Sequence, residues 1–255
     1  MILQNPTDLG FIPQRIISLV PSQTELLSAL GLENETIGIT KFCIHPANWF
    51  NTKKRIGGTK NVHIDEIRKL QPDLVIANKE ENVRDQIVEL ALDLPVWLTD
   101  VNNLEDSLKM ILDTGILTGK KELAISLAGQ IKTAFDGLPK IRPGVKTAYM
   151  IWRNPWMTTG GDTFIHDMLQ QCGFDNIFAE KTRYPEISIT DLQTGHCQLL
   201  LLSSEPYPFT QKHLDELKSL LPGTGIRLVD GEYFSWYGSR LLDAPAYFKK
   251  LIHEL

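Results

Sequence analysis

The sequence predicts an α/β protein of two similar lobes with mostly parallel sheets, joined through a long helix. Three observations carry this. A strand-turn-helix plan occurs twice, in RIISLVPSQTELLSALG at 15–31 and TAYMIWRNPWMTTGGDTFIHDMLQQCG at 147–173. Each copy is followed about fifty residues on by a second apolar strand, PDLVIAN at 72–78 and CQLLLLSSEP at 197–206. Between the copies, residues 104–135 show helical periodicity and almost no strand signal.

Residues 16–20 form a largely apolar run rich in β-branched residues, read as a buried parallel strand. Ser22 is a candidate N-cap, with Glu25 completing a capping box. Leu26, Leu27 and Leu30 give the following helix its buried face, and Gly31 ends it. Strands are expected at 36–40, 73–77 and 96–98, and helices at 64–70 and 83–92. Gly115 and Gly119 are expected to interrupt the helical block, leaving one helix to about Leu117 and another from Lys120 to Phe135. At 1.5 Å per residue the second spans about 25 Å, enough to bridge two lobes. The LPKIRPG stretch at 138–144 follows. The second lobe continues with helices at 163–172, 188–194, 210–220 and 243–254, and strands at 198–202 and 226–229. The expected division is a lobe at 1–104, a helical connection at 105–144 and a lobe at 145–255.

Composition bounds the function. The 255 residues are 42% apolar with a formal net charge of −5. No basic tract is present, so nucleic acid is not an expected partner. No apolar run reaches the roughly 18 residues of a membrane helix, so no membrane insertion is expected. Residues 1–14 lack the basic and apolar regions of a secretory signal, which leaves a cytoplasmic chain or a processed one. Cys43, Cys172 and Cys197 are an odd number without metal-ligand spacing, so no disulfide framework and no metal site are expected.

In open α/β sheets ligands collect where strands end at their carboxyl termini. The loops expected there hold ten of the 21 aromatic residues. Trp152, Trp156, Trp236 and Tyr237 sit beside Arg, Gly and Ser and are read as ligand-facing, with Phe42 and Tyr207, whereas Phe234 and Trp49 are read as core. Charged candidates are Lys79, Glu80, Glu81, Arg153, Glu205 and Arg240. Arg153 suits a ligand carboxylate or phosphate, or else an ion pair with Glu80 or Glu205. Cys43 and His45 are candidates for a single axial contact to a chelated metal. TTGGDT at 158–163 is read as a tight turn with Asp162 or Thr163 capping the next helix, and no catalytic triad signature is present.

These phrases, with VHIDEIRKLQPDLVIA, GGDTFIHDMLQQCGFDNIF and YPEISITDL, resemble the class III periplasmic substrate-binding proteins. These are the helical-backbone metal receptors of the vitamin B12-binding kind. The resemblance covers residues 15–254. It implies two Rossmann-like lobes with a ligand in the cleft between them. The expected ligand is a corrinoid such as cobalamin, haem or a ferric siderophore, with no intrinsic cofactor. It also implies a monomeric, extracytoplasmic, non-enzymatic protein that serves an ABC permease. Phe42 and Tyr184 fall where that family places a tyrosine and a tryptophan against the ligand, while Thr59 and Asn78 fall where it has tryptophans. Asp65 matches one of two acidic residues that dock the permease. Thr190 occupies the second position and Asp191 is next to it. The alternatives are a cytoplasmic sensor or carrier, or an enzyme using Cys43, His45 and Glu80.

Overall fold

The computed structural model describes residues 1–139 and 144–254. The architecture is mixed α/β with mainly parallel sheets, and the chain divides into two compact units. One comprises Met1–Val101, Glu105–Lys132 and Tyr237–Leu242; the other comprises Asn102–Leu104, Thr133–Trp236 and Asp243–Leu255.

The first unit carries a six-stranded, wholly parallel sheet. Its strands in chain order are β1 (Ile2–Leu3), β2 (Ile16–Ser18), β3 (Thr36–Ile39), β4 (Lys54–Arg55), β7 (Leu74–Asn78) and β8 (Val96–Thr99), and across the sheet they run β1-β8-β7-β2-β3-β4. The pair β5 (Gly57–Gly58) and β6 (Asn61–Val62) forms a separate antiparallel hairpin. Helices α1 (Pro21–Ala29), α2 (Ala47–Thr52), α3 (Ile64–Lys69) and α4 (Arg84–Leu90) lie between strands, followed by α5 (Leu104–Leu117) and α6 (Lys121–Asp136). Every residue of β2 and β7 is buried, because a parallel strand covered on both faces needs an unbroken apolar run. Ile17, Leu19, Val75, Ala77, Ile67, Ile87 and Val96 share one core cluster.

The second unit's sheet runs β10-β9-β12-β13, with β9 at Val145–Trp152, β10 at Met157–Thr158, β12 at Leu199–Ser203 and β13 at Gly225–Val229; β11 (Phe174–Asn176) pairs with the start of β9. Only β10 runs antiparallel. The helices are α7 (Phe164–Gln171), α8 (Ile189–Thr194), α9 (Gln211–Leu220), α10 (Glu232–Ser235) and α11 (Ala244–His253), with a 3-10 turn at Ser239–Leu242. Ala148, Met150, Leu200, Leu202, Leu214, Leu217 and Ile226 share its core cluster. No helix among the described residues is long and apolar enough to cross a membrane.

Two local expectations fail for physical reasons. Ser22 does not cap α1: the helix begins at Pro21, its N-cap is Val20 and no side chain caps it. Proline has no N–H to satisfy and its φ is preset for the first helical position, so the helix starts two residues earlier and buries Ser22. Gly115 does not break the helical block either. It lies within α5, where an added Cβ would stand 2.2 Å from the Ala124 Cβ of α6. Its missing side chain lets the two helices approach. Gly119, at φ +69°, makes the turn between them. Thr163 caps α7, accepting from the His166 N–H. The chain passes from the first unit to the second within α6, between Lys132 and Thr133. Of LPKIRPG, residues 140–143 lie outside the described residues.

Candidate functional site

In the first unit the carboxyl ends of the strands rest on a buried amide lattice. Asn82 Nδ2 donates to the carbonyls of Leu19, beyond β2, and Thr59, in the β5–β6 turn, at 3.3 and 3.0 Å. Its Oδ1 accepts from Asn78 N–H at 2.9 Å. Asn78 Oδ1 in turn accepts from the Glu80 and Glu81 N–H groups, and its Nδ2 donates to Thr99, at the end of β8. Gln23 Nε2 donates to the Thr99 hydroxyl at 2.6 Å. Asn78, at a position where the family resemblance expects a ligand-stacking tryptophan, instead shapes the Lys79–Glu81 loop.

The sequence candidates on this unit divide by exposure. Phe42 is 50% exposed, with the Lys41 ammonium 5.1 Å from its ring centroid. His45 is half-buried. Lys79 is exposed and paired with Asp100 at 2.7 Å, and Glu80 is half-buried with its carbonyl accepting from Lys60 Nζ. Cys43 is fully buried and contacts the Thr24 and Thr40 hydroxyls at 3.1 Å each. Burial pushes its thiol pKa up, and a buried, protonated thiol is neither nucleophile nor ligand at neutral pH. An axial contact through Cys43 is therefore not supported.

The segment Tyr237–Leu242 completes this unit. Gly238 N–H donates to Ser107 Oγ at 3.1 Å. Arg240 grips Glu25 of α1 side-on, Nε to Oε2 at 3.0 Å and Nη2 to Oε1 at 2.7 Å. Tyr237, expected to offer ring surface, is buried, and burial followed by the nearby Glu81 charge drives its phenol pKa well up.

In the second unit the ends of β9 and β12 carry an aromatic cluster. Trp152 is 40% exposed and meets Tyr207 edge-on at 5.7 Å. Tyr207 meets Phe209 at 4.8 Å, and its hydroxyl lies 3.1 Å from His213 Nε2 of α9. Trp156 stacks on Phe209, and the Arg153 guanidinium lies 5.4 Å from the Trp156 ring. Trp156 and Tyr207 are half-buried. Tyr184 is also half-buried, beneath the Arg183 guanidinium at 5.5 Å.

Within its own unit Arg153 pairs with Glu216 rather than Glu205. Its Nη2 holds both carboxylate oxygens of Glu216, on α9, at 2.7 and 2.8 Å. Glu205 is instead a buried acceptor: one of its oxygens takes Ser235 Oγ–H at 2.6 Å and Trp236 Nε1–H at 2.9 Å. Burial raises its carboxyl pKa, against those two bonds. Trp236 is thereby drawn inward and is 7% exposed, so it offers little face to a ligand. Phe234 and Trp49 are core, as expected.

Asp65 is exposed in the first turn of α3. Asp191 is exposed, but its carboxylate accepts from the Ser188 N–H and hydroxyl in a capping box, which holds its pKa below the usual range. The TTGGDT loop does not offer its amides: Gly160 and Gly161 N–H donate to the carbonyls of Arg183 and Lys181. Among the described residues no group of three or more His, Cys, Asp or Glu side chains is placed to hold a metal ion. The sequence gives no signal for Glu216 and Glu25 as ion-pair partners, or for His213 beside Tyr207. The first two are 63 and 215 residues from their arginines, beyond any spacing signal.

Residues 16–220 match the profile of the periplasmic binding protein family. The vitamin B12-binding protein of Yersinia pestis is 24% identical over 238 residues, covering 90% of this chain and 82% of that protein. The periplasmic vitamin B12-binding protein of Vibrio cholerae superposes with a TM-score of 0.78 at 19% identity, covering 95% of this chain and 97% of that one. The periplasmic heme-binding protein of the same organism gives 0.81 at 17% identity, covering 94% and 99%. The chain belongs to the periplasmic binding protein family, within its class III.

Proposed function

We propose that this chain is the substrate-binding component of an ABC-type importer and captures a metal chelate of the corrinoid, haem or ferric-siderophore class. The carrying observation is the Trp152–Tyr207–Phe209–Trp156 cluster at the carboxyl ends of β9 and β12, with Trp152 open to solvent. Phe209 is core and Trp156 and Tyr207 pack against it, so the open face is that of Trp152, and an exposed ring on a rigid aromatic base suits a bulky chelate. Phe42 supplies an exposed ring on the first unit. Extracytoplasmic residence belongs to this reading, as does docking to a permease through Asp65 on α3. Asp191 is a weaker docking candidate, since its carboxylate already serves as a cap. The enzyme alternative loses its nucleophile with Cys43, sealed between two threonines.

Titration of tryptophan fluorescence with cyanocobalamin, haemin and ferrioxamine B tests the proposal, on wild type and on Trp152→Ala. Saturable quenching by at least one chelate is expected. Loss of the exposed ring is expected to weaken it about tenfold, the effect of roughly 1.4 kcal/mol of stacking and contact. Saturable binding that Trp152→Ala leaves unchanged would remove the cluster from the site. No saturable response to any of the three would overturn the function.

A further inference from the structure

We infer that Tyr207 is a specificity-determining hydrogen-bond donor to the ligand, and that His213 is the positioning residue that leaves the Tyr207 hydroxyl proton for an acceptor oxygen of the guest. The inference rests on the substrate-binding reading above and deepens it. Every residue it uses belongs to the second unit. His213 is buried in the first turn of α9. Its Nδ1 lies 2.9 Å from the Thr210 backbone N–H and 3.1 Å from the Thr210 hydroxyl. A backbone N–H can only donate, so Nδ1 is the unprotonated nitrogen of the ring. The imidazole proton then sits on Nε2, 3.1 Å from the Tyr207 hydroxyl. Nε2–H donates and the Tyr207 oxygen accepts, so the phenol proton cannot go to His213. Among the described residues no other acceptor takes it.

The ring is fixed as firmly as the proton. Tyr207 meets Trp152 at 5.7 Å, Phe209 at 4.8 Å and His213 at 5.3 Å, each edge-on. A donor held in this way loses little rotational freedom when it bonds a guest. Trp152 is the exposed ring of the same group, so a chelate resting on that face comes beside Tyr207. The Arg153 guanidinium, held charged chiefly by its hydrogen bond to Glu216, also lies beside the Tyr207 hydroxyl. N–H groups donating to the phenol oxygen polarise it and make its O–H the stronger donor. A guest with a carboxylate, hydroxamate or amide oxygen at its rim satisfies this proton. A guest with a wholly apolar rim strands it, and sites built around such a donor discriminate strongly against guests that cannot accept from it.

Calorimetric titration with cyanocobalamin, haemin and ferrioxamine B, all of which carry oxygen acceptors, tests this on wild type, Tyr207→Phe, His213→Gln and the double variant. Glutamine is an ordinary residue at this place of a capping box, so it keeps the Thr210 N–H bonded while removing the imidazole. Tyr207→Phe is expected to weaken the chelate that wild type binds by about tenfold, and His213→Gln by about threefold. The double variant is expected to match Tyr207→Phe, because His213 acts only through the hydroxyl. Nitrogen NMR of the wild-type histidine rings is expected to show His213 as the Nε2–H tautomer. Binding by Tyr207→Phe within about twofold of wild type, or an Nδ1–H tautomer at His213, would overturn the inference while leaving the receptor function standing. Losses that simply multiply in the double variant would mark His213 as acting on the fold and not through Tyr207, which would overturn its positioning role. If His213→Gln does not fold, Tyr207→Phe and the tautomer carry the test. Binding of none of the three chelates to wild type would overturn both the inference and the receptor function.

Discussion

Replacing Asn82 by alanine is expected to destabilise the protein by about 3 kcal/mol or more. The side chain is 7% exposed and makes three hydrogen bonds, to Asn78 N–H, Leu19 carbonyl and Thr59 carbonyl. Alanine removes all three and leaves one donor and two acceptors without that partner. Each buried group so stranded costs about 1–3 kcal/mol. For a chain of this size the melting temperature should fall by roughly 6–12 °C. Because the lattice sets the Lys79–Glu81 backbone, amide exchange there should also accelerate. A thermal melt within about 2 °C of wild type would show that water or rearranged backbone replaces the side chain, and that the lattice is not the support described.

Gly161→Ala is the second large effect. A Cβ there would stand 2.1 Å from the Ala179 carbonyl oxygen, and that atom is backbone, so no side chain can swing aside. Either the loop after β10 or the 179–183 segment must move. Movement breaks the paired bonds from Gly160 and Gly161 to Arg183 and Lys181. Overpacking of this kind costs about 1–3 kcal/mol before the lost hydrogen bonds are added. Tyr184 follows that segment, so a ring proposed to contact ligand shifts with it. Urea denaturation should show a lower midpoint with an unchanged slope. A midpoint equal to that of wild type would mean that the loop accommodates the methyl and that its close approach is not structural.

Much of the fold is legible because burial on both faces demands an uninterrupted apolar run, and β2, β7 and β12 have one. The short strands are a different matter. The pairs Gly57–Gly58 and Lys54–Arg55, and the segment Phe174–Asn176, carry no two-residue alternation long enough to register. Their pairing is decided by the neighbouring backbone rather than by their own side chains. Gly115 shows the reverse problem. A glycine in a helical pattern reads as a breaker, yet here the helix continues through it because Ala124 needs the space.

The exposure of Trp152 is legible from composition, since a ring beside Arg, Gly and Ser suits a core poorly, whereas Trp156 carries the same signal and packs against the core cluster. Trp236 carried the same signal and proved buried, because Glu205 draws its indole N–H inward from 31 positions away. The charges were the least legible. Local sequence presents Arg153 and Arg240 as free cations, and only the fold brings Glu216 and Glu25 to them. Of the two readings open for Arg153, a ligand grip or an ion pair, the structure shows an ion pair, with Glu216, and Arg240 is likewise paired, with Glu25.

The central claim is that this protein captures an intact metal chelate without altering it. Native mass spectrometry of the protein mixed with an equimolar panel of cyanocobalamin, ferrioxamine B and haemin measures this directly. A single one-to-one adduct is expected, with an added mass equal to that of the unmodified chelate and release of the same mass on denaturation. A bound or released chelate of changed mass, or a spectrum with no adduct from any member of the panel, would contradict it.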